Sequence, residues 1–207
     1  MRRDGPKPSG FIMALVLSMM FLISSACADV EPIVEPSTVK HAEYEATVKL
    51  RTSADGGDAA AQNQLGLLYY QGKGVPQNHL QAKQWFEEAA KQEHTGAQTN
   101  LGTLYLNGEG APQSDRMALF WFSQAAERGD ALACARLGLM YARGRGVLQD
   151  SIQAHMWYNL SAAQGETRSA EARDALAQRM TPAQIAEAQR LAREWKPRMN
   201  TSSQPVP

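Results

Sequence analysis

Only a few side chains in this 207-residue sequence are of types that carry chemistry. The two cysteines are Cys27 and Cys134. A reactive thiolate needs a cation, a base or a helix N-terminus beside it to lower its pKa. Cys134 lies between Ala133 and Ala135 with no histidine near it in sequence, and reads as a small buried hydrophobe. The histidines, His41, His79, His94 and His155, share no spacing, and no His-x-x-x-His or Cys/His cluster offers metal ligands. Adjacent Glu87 and Glu88 point to different sides of any helix, so they read as a solvated face rather than an acid/base pair. No catalytic residue, no metal ligand and no cofactor is assigned.

Two recurring patterns could be taken for ligand sites. Gly-x-Gly occurs at 72–74, 108–110 and 144–146. A phosphate cradle would need a strand before such a loop and a helix N-terminus after it. Here a helical pattern precedes, and the middle residue changes from Lys73 to Glu109 to Arg145. Helix-ending glycines account for the pattern. The aromatic pairs Trp85-Phe86, Trp121-Phe122 and Trp157-Tyr158 could form a ligand box. Their regular helical spacing points instead to core between repeats.

These residues belong to one periodic framework. Three copies of 36 residues run 58–93, 94–129 and 130–165, and ten columns are identical in all three. Leu65-Gly66, Tyr69, Gly72, Gly74 and Trp85 each recur at that offset. Such a period marks a repeat architecture. Each copy reads as two helices. Ala61, Leu65, Leu68 and Tyr69 form one helical stripe, and Ala82, Trp85, Phe86 and Ala89 form another. Asn78, Ser114 and Asp150 are the expected N-caps of the second helices, with Gln81 and Gln153 placed for capping boxes. Asp58 and Asp130 open the first helices, and Thr95 is the expected substitute where His94 departs from the pattern. Gly66, Gly102 and Gly138 fall inside helices, where each costs about 1 kcal/mol against alanine. Repetition of that choice predicts a neighbouring group too close for a Cβ.

The ends depart from the repeat. A single capping helix is expected within 41–57, and two more within 166–196, with Thr181-Pro182 as a helix start. Residues 29–40, which contain Pro32 and Pro36, read as a disordered linker, and 197–207 as a disordered tail. Residues 1–28 read as a signal peptide. Arg2, Arg3 and Lys7 precede an apolar run from Phe11 to Ile23, which is too short to span a bilayer. Ala26-Cys27-Ala28 is a small-x-small cleavage site, leaving a mature chain without a transmembrane span. Ser25-Ala26-Cys27 also suits lipidation at Cys27, so a lipid anchor stays open beside ordinary cleavage. Either way the expected location is periplasmic or secreted. Cations and anions are equal in number and scattered, which gives no nucleic-acid footprint.

The pattern A-x-x-x-L-G-x-x-Y, then G-x-G, then A-x-x-W-F-x-x-A-A resembles the Sel1-like repeat family, a relative of tetratricopeptide repeats. It covers 58–165, and residues 174–192 look like the closing segment of bacterial members. The resemblance implies an all-α class: an α-solenoid of three helix-pair repeats with capping helices at both ends. It also implies a superhelical groove that holds a protein or peptide, as in exported adaptors. Carried over from the tetratricopeptide relation, the groove residues are Asn63, Leu67 and Tyr70; Thr99, Thr103 and Leu106; Ala135, Leu139 and Ala142. These are mostly small, neutral or apolar, and would suit an apolar segment better than an acidic tail. The alternative is that they face a neighbouring helix in a tight coil. Some cysteine-rich relatives are hydrolases of cell-wall material or β-lactams, but this chain lacks their paired cysteines. A structural subunit of an envelope complex is the third reading.

Overall fold

The fold is taken from a computed structural model, which describes residues 36–198, with side chains from residue 45. Among the described residues the chain is all helical. The helices are α1 (Pro36–Asp55), α2 (Ala59–Gln71), α3 (His79–Lys91), α4 (Thr95–Asn107), α5 (Asp115–Glu127), α6 (Ala131–Arg143), α7 (Ser151–Ala162), α8 (Thr167–Ala177) and α9 (Pro182–Glu194). From Glu43 onward the described chain belongs to one compact unit, and Pro36–Ala42 to another. Within the larger unit, helices from α2 to α8 pack each on the next, and α9 returns to cover α7. That is the solenoid expected from the period. None of the helices among the described residues is long and apolar enough to cross a membrane.

Capping residues set the helix boundaries. Asp58 accepts from the amides of Ala60 (2.8 Å) and Ala61 (3.0 Å) at the start of α2, and Asp130 accepts from Ala133 (2.7 Å) at the start of α6. At α4 the cap is His94, whose Nδ1 accepts from the Ala97 amide at 3.2 Å; the expected Thr95 is instead the first helical residue. Asn78, Ser114 and Asp150 cap α3, α5 and α7. Thr181 and Gln184 form a two-way box at α9. Gly108 ends α4 in the left-handed conformation (φ 75°), which spares a Cβ penalty, and Gly72 and Gly144 do the same. Gln77, Gln113 and Gln149 share another of the ten identical columns. The side-chain amides of Gln77 and Gln149 donate to the Tyr70 and Ala142 carbonyls, at 2.9 and 3.0 Å, where helix ends leave acceptors unfilled.

The internal glycines have the packing role their repetition predicts. Cβ atoms placed on Gly66, Gly102 or Gly138 would lie 2.6 Å from the rings of Phe86, Phe122 and Tyr158 respectively. Those rings are sealed in the core, at 1%, 0% and 6% exposure. The second glycine of each loop acts between repeats. A Cβ at Gly146 would come within 2.6 Å of the Asp115 carbonyl oxygen on the preceding second helix, and Gly110 stands likewise against His79. Arg145, between Gly144 and Gly146, reaches the same helix end. Its Nε and Nη2 donate to the two Asp115 carboxylate oxygens at 3.1 and 2.6 Å.

The ends differ from expectation in two places. α1 begins at Pro36, inside the stretch read as a linker; residues 29–35 lie outside the described residues. Pro fits a first helical turn because it has no amide to satisfy there. At the other end, residues 197–198 are not a free tail. The Arg198 amide donates to the Glu127 carbonyl at 2.6 Å, and its guanidinium meets the Glu127 carboxylate at 3.0 Å. Trp195 stacks edge-on to Trp157, with ring centroids 6.1 Å apart. Residues 199–207 and the stretch 1–28 read as a signal peptide, with Cys27, lie outside the described residues.

Candidate functional site

The predicted groove residues all stand on first helices of repeats: α2, α4 and α6. Leu67, Tyr70, Thr103, Leu106, Ala135, Leu139 and Ala142 are half-buried, which leaves part of each side chain accessible. Two of the nine behave differently. Thr99 is 3% exposed and belongs to the interior, so it does not line a groove. Its helix is the middle one of three, flanked by a repeat on each side, and that flanking removes it from solvent. Asn63 is half-buried, but its Oδ1 accepts from Asn100 Nδ2 at 2.9 Å, tying α2 directly to α4. Seven of the nine thus keep accessible surface, whereas Thr99 is enclosed and Asn63 is tied to the next first helix.

Tyr70 has more polar surroundings than its column implies. Its ring lies 5.2 Å from that of His79, tilted by 32°. Burial raises its phenol pKa first, a hydrogen bond and charge from Glu109 raise it further, and Arg136 opposes them. Glu109 also accepts from Asn107 Nδ2 at 3.4 Å. The neutral, apolar surface expected from the nine residues thus carries a carboxylate and a guanidinium beside its largest aromatic. Arg136 and Asn100 share a repeat column with Gln64, one position past the column of Asn63. Glu109 is the variable residue between two loop glycines. Variation at a fixed repeat position was the available signal for all three.

The residues weighed for chemistry sit elsewhere. Cys134 is fully buried, and burial pushes its thiol up to about 12, so it is protonated and shielded. His155 is 3% exposed; burial holds its pKa below the usual imidazole value, with the Arg173 charge adding to this. Glu87 pairs with Lys83 at 2.7 Å and Glu88 with Lys91 at 2.6 Å, as ordinary surface ion pairs. Trp85, Trp121 and Trp157 are half-buried against the core and form no common box. Among the described residues no cluster of three His, Cys, Asp or Glu could hold a metal ion.

Comparison with known proteins agrees with this architecture. The Sel1 repeat matches residues 59–94, 95–130 and 131–166, one residue later in phase than the sequence copies and with the same period. No curated protein matches the chain. Among solved structures it is similar to c5321, described as a protective antigen of uropathogenic Escherichia coli strains displaying an SLR fold. The TM-score is 0.69 and the identity 32%, over 72% of this chain and 32% of that one. The chain thus spans about a third of the antigen's length. It is also similar to a Sel1 repeat protein from Oxalobacter formigenes, with TM-score 0.57 and 34% identity over 61% of this chain and 96% of that one. Sel1-repeat proteins generally mediate protein–protein interactions. With three matched repeats covering more than half its length, the chain belongs to the Sel1 repeat family.

Proposed function

We propose that this protein is an exported adaptor that holds a protein or peptide partner along its first helices, α2, α4 and α6. The observation that carries this reading is the accessible row Leu67, Tyr70, Leu106 and Leu139, set on a scaffold whose inner columns are sealed. A half-buried apolar row still offers area for a docking segment to cover, and Glu109 and Arg136 beside Tyr70 add polar selectivity. Export is supported by the basic start, the short apolar run and the Ala26-Cys27-Ala28 site. The test is a pull-down from envelope extract with the wild type and a Leu67→Ala, Tyr70→Ala, Leu106→Ala triple variant. The variant is expected to lose the specific partner, and equal recovery of every protein by both would sink the groove. Intact mass of the mature protein decides between cleavage after Ala28 and a lipidated Cys27.

A further inference from the structure

The stripe that packs each second helix into the core has its counterpart on α1, but there most of it is exposed. In α3 the stripe is Ala82, Trp85, Phe86 and Ala89, and Phe86 lies on Gly66 of its own repeat's first helix. Thirty-six residues earlier, α1 carries Ala46, Lys49, Leu50 and Ser53. Ala82, Phe86 and Ala89 are at most 1% exposed, whereas Ala46, Lys49 and Ser53 are exposed and Leu50 is half-buried.

The facing side of α2 is open in the same way. Leu68 is half-buried, although its column-mates Leu104 and Met140 are each 1% exposed. Asn100 meets the preceding first helix through Asn63, while its column-mate Gln64 is exposed. Among the described residues, no first helix of a preceding repeat lies against either stripe. The two stripes bound a cleft of about 920 Å³. α1 stays helical from Pro36, so it lacks the reversing loop that each repeat has at these columns.

We propose that this cleft takes a helix donated by a partner polypeptide, an amphipathic segment standing in for such a first helix. Its length is that of the repeat's first helices, 13 residues, or about 20 Å. Its inner face is aliphatic and small, to meet Leu50, Leu68 and Ala61. Its flanks are acidic. Lys49 and Lys73 line the cleft and have no anionic partner among the described residues. Asp58, which also lines it and stays ionised while accepting from the Ala60 and Ala61 amides, offsets one of these two cations and leaves the lining net positive. This surface uses none of the groove residues and stands independently of the function proposed above.

The probe is a fluorescein-labelled amphipathic peptide with Leu and Ala at i, i+4 and i+7 and Glu on both flanks. A twin carries Lys in place of each Glu. Fluorescence anisotropy with the full mature chain is expected to show saturable binding of the acidic peptide and at least tenfold weaker binding of its twin. Lys49→Glu with Lys73→Glu is expected to reverse that preference. Ala60→Trp, which fills the cleft from an exposed position, is expected to weaken binding at least tenfold with the circular dichroism spectrum unchanged. Tyr70→Ala is expected to leave binding unaltered. The proposal is overturned if the acidic peptide fails to saturate, if the two peptides bind alike, if Ala60→Trp binds normally, or if Tyr70→Ala abolishes binding. It is equally overturned if the wild type is a dimer on gel filtration and Ala60→Trp a monomer, since a second copy would then fill the cleft.

Discussion

Gly102 and Phe122 meet so closely that a single methyl group between them has no room: a Cβ on Gly102 would lie 2.6 Å from two ring atoms. Phe122 is 0% exposed, so the ring cannot move aside into solvent. Gly102→Ala improves helix propensity by about 1 kcal/mol but introduces overpacking that costs typically about 1–3 kcal/mol. The expected net effect is destabilisation, read as a lower urea midpoint. Gly102→Ala combined with Phe122→Leu is expected to recover part of the loss, because the smaller side chain vacates the overlap. Unchanged or increased stability in Gly102→Ala alone would show that the ring is not the constraint.

Ser114 accepts from the Met117 amide at 3.2 Å and opens α5. Ser114→Ala is expected to cost about 1 kcal/mol, the usual worth of an N-cap. Ser114→Asp, which restores an acceptor as in Asp150, is expected to be close to neutral. Chemical denaturation of the three proteins checks the order.

Cys134 is expected to be unreactive toward a thiol reagent in the folded protein at pH 8 and to react once urea unfolds it. Burial raises its pKa from 9.0 to about 12 in the fold, so the folded state binds its proton more tightly than the unfolded state. Its contribution to stability is complete below pH 9 and is lost as pH rises toward 12. The difference in stability between wild type and Cys134→Ala should shift against the wild type across that window. A parallel pH profile for the two would contradict the assignment.

His155 gives the opposite slope. Its folded pKa is depressed, chiefly by burial, so the unfolded state takes up the proton first as pH falls. The stability of the wild type is therefore expected to drop as pH falls below the ordinary imidazole value of 6.5. Leu119 occupies the same repeat position in the second copy. His155→Leu is expected to flatten the acid limb and to be the more stable protein at pH 5. Thermal melts at pH 5 and pH 8 decide it.

Much of this fold was legible in the sequence because its signals are local. A cap, a left-handed glycine or a helical stripe is decided within a few residues, and a 36-residue period repeats each decision three times. The misplacement of the cap at α4 was equally local: imidazole nitrogen accepted the hydrogen bond that a hydroxyl was expected to take.

What only the tertiary structure decided is which face of each repeat is covered. Thr99, Asn63 and Ala135 share a column, yet Thr99 is buried, Asn63 is bonded to Asn100 and Ala135 is half-buried. The period makes such positions equivalent in sequence, whereas exposure depends on neighbouring helices that lie about one repeat away. Glu109 and Arg136 reach Tyr70 on the same terms, and Arg198 reaches Glu127 from much farther along the chain. The cleft beside α1 is the clearest case. The register predicts a capping helix with Lys49 and Leu50 where the repeats have Trp followed by Phe or Tyr. The register already reads this helix as the second of an incomplete repeat, but only the packing shows which side chains that leaves exposed among the described residues, because exposure is a property of the assembled array and not of any one stretch of chain.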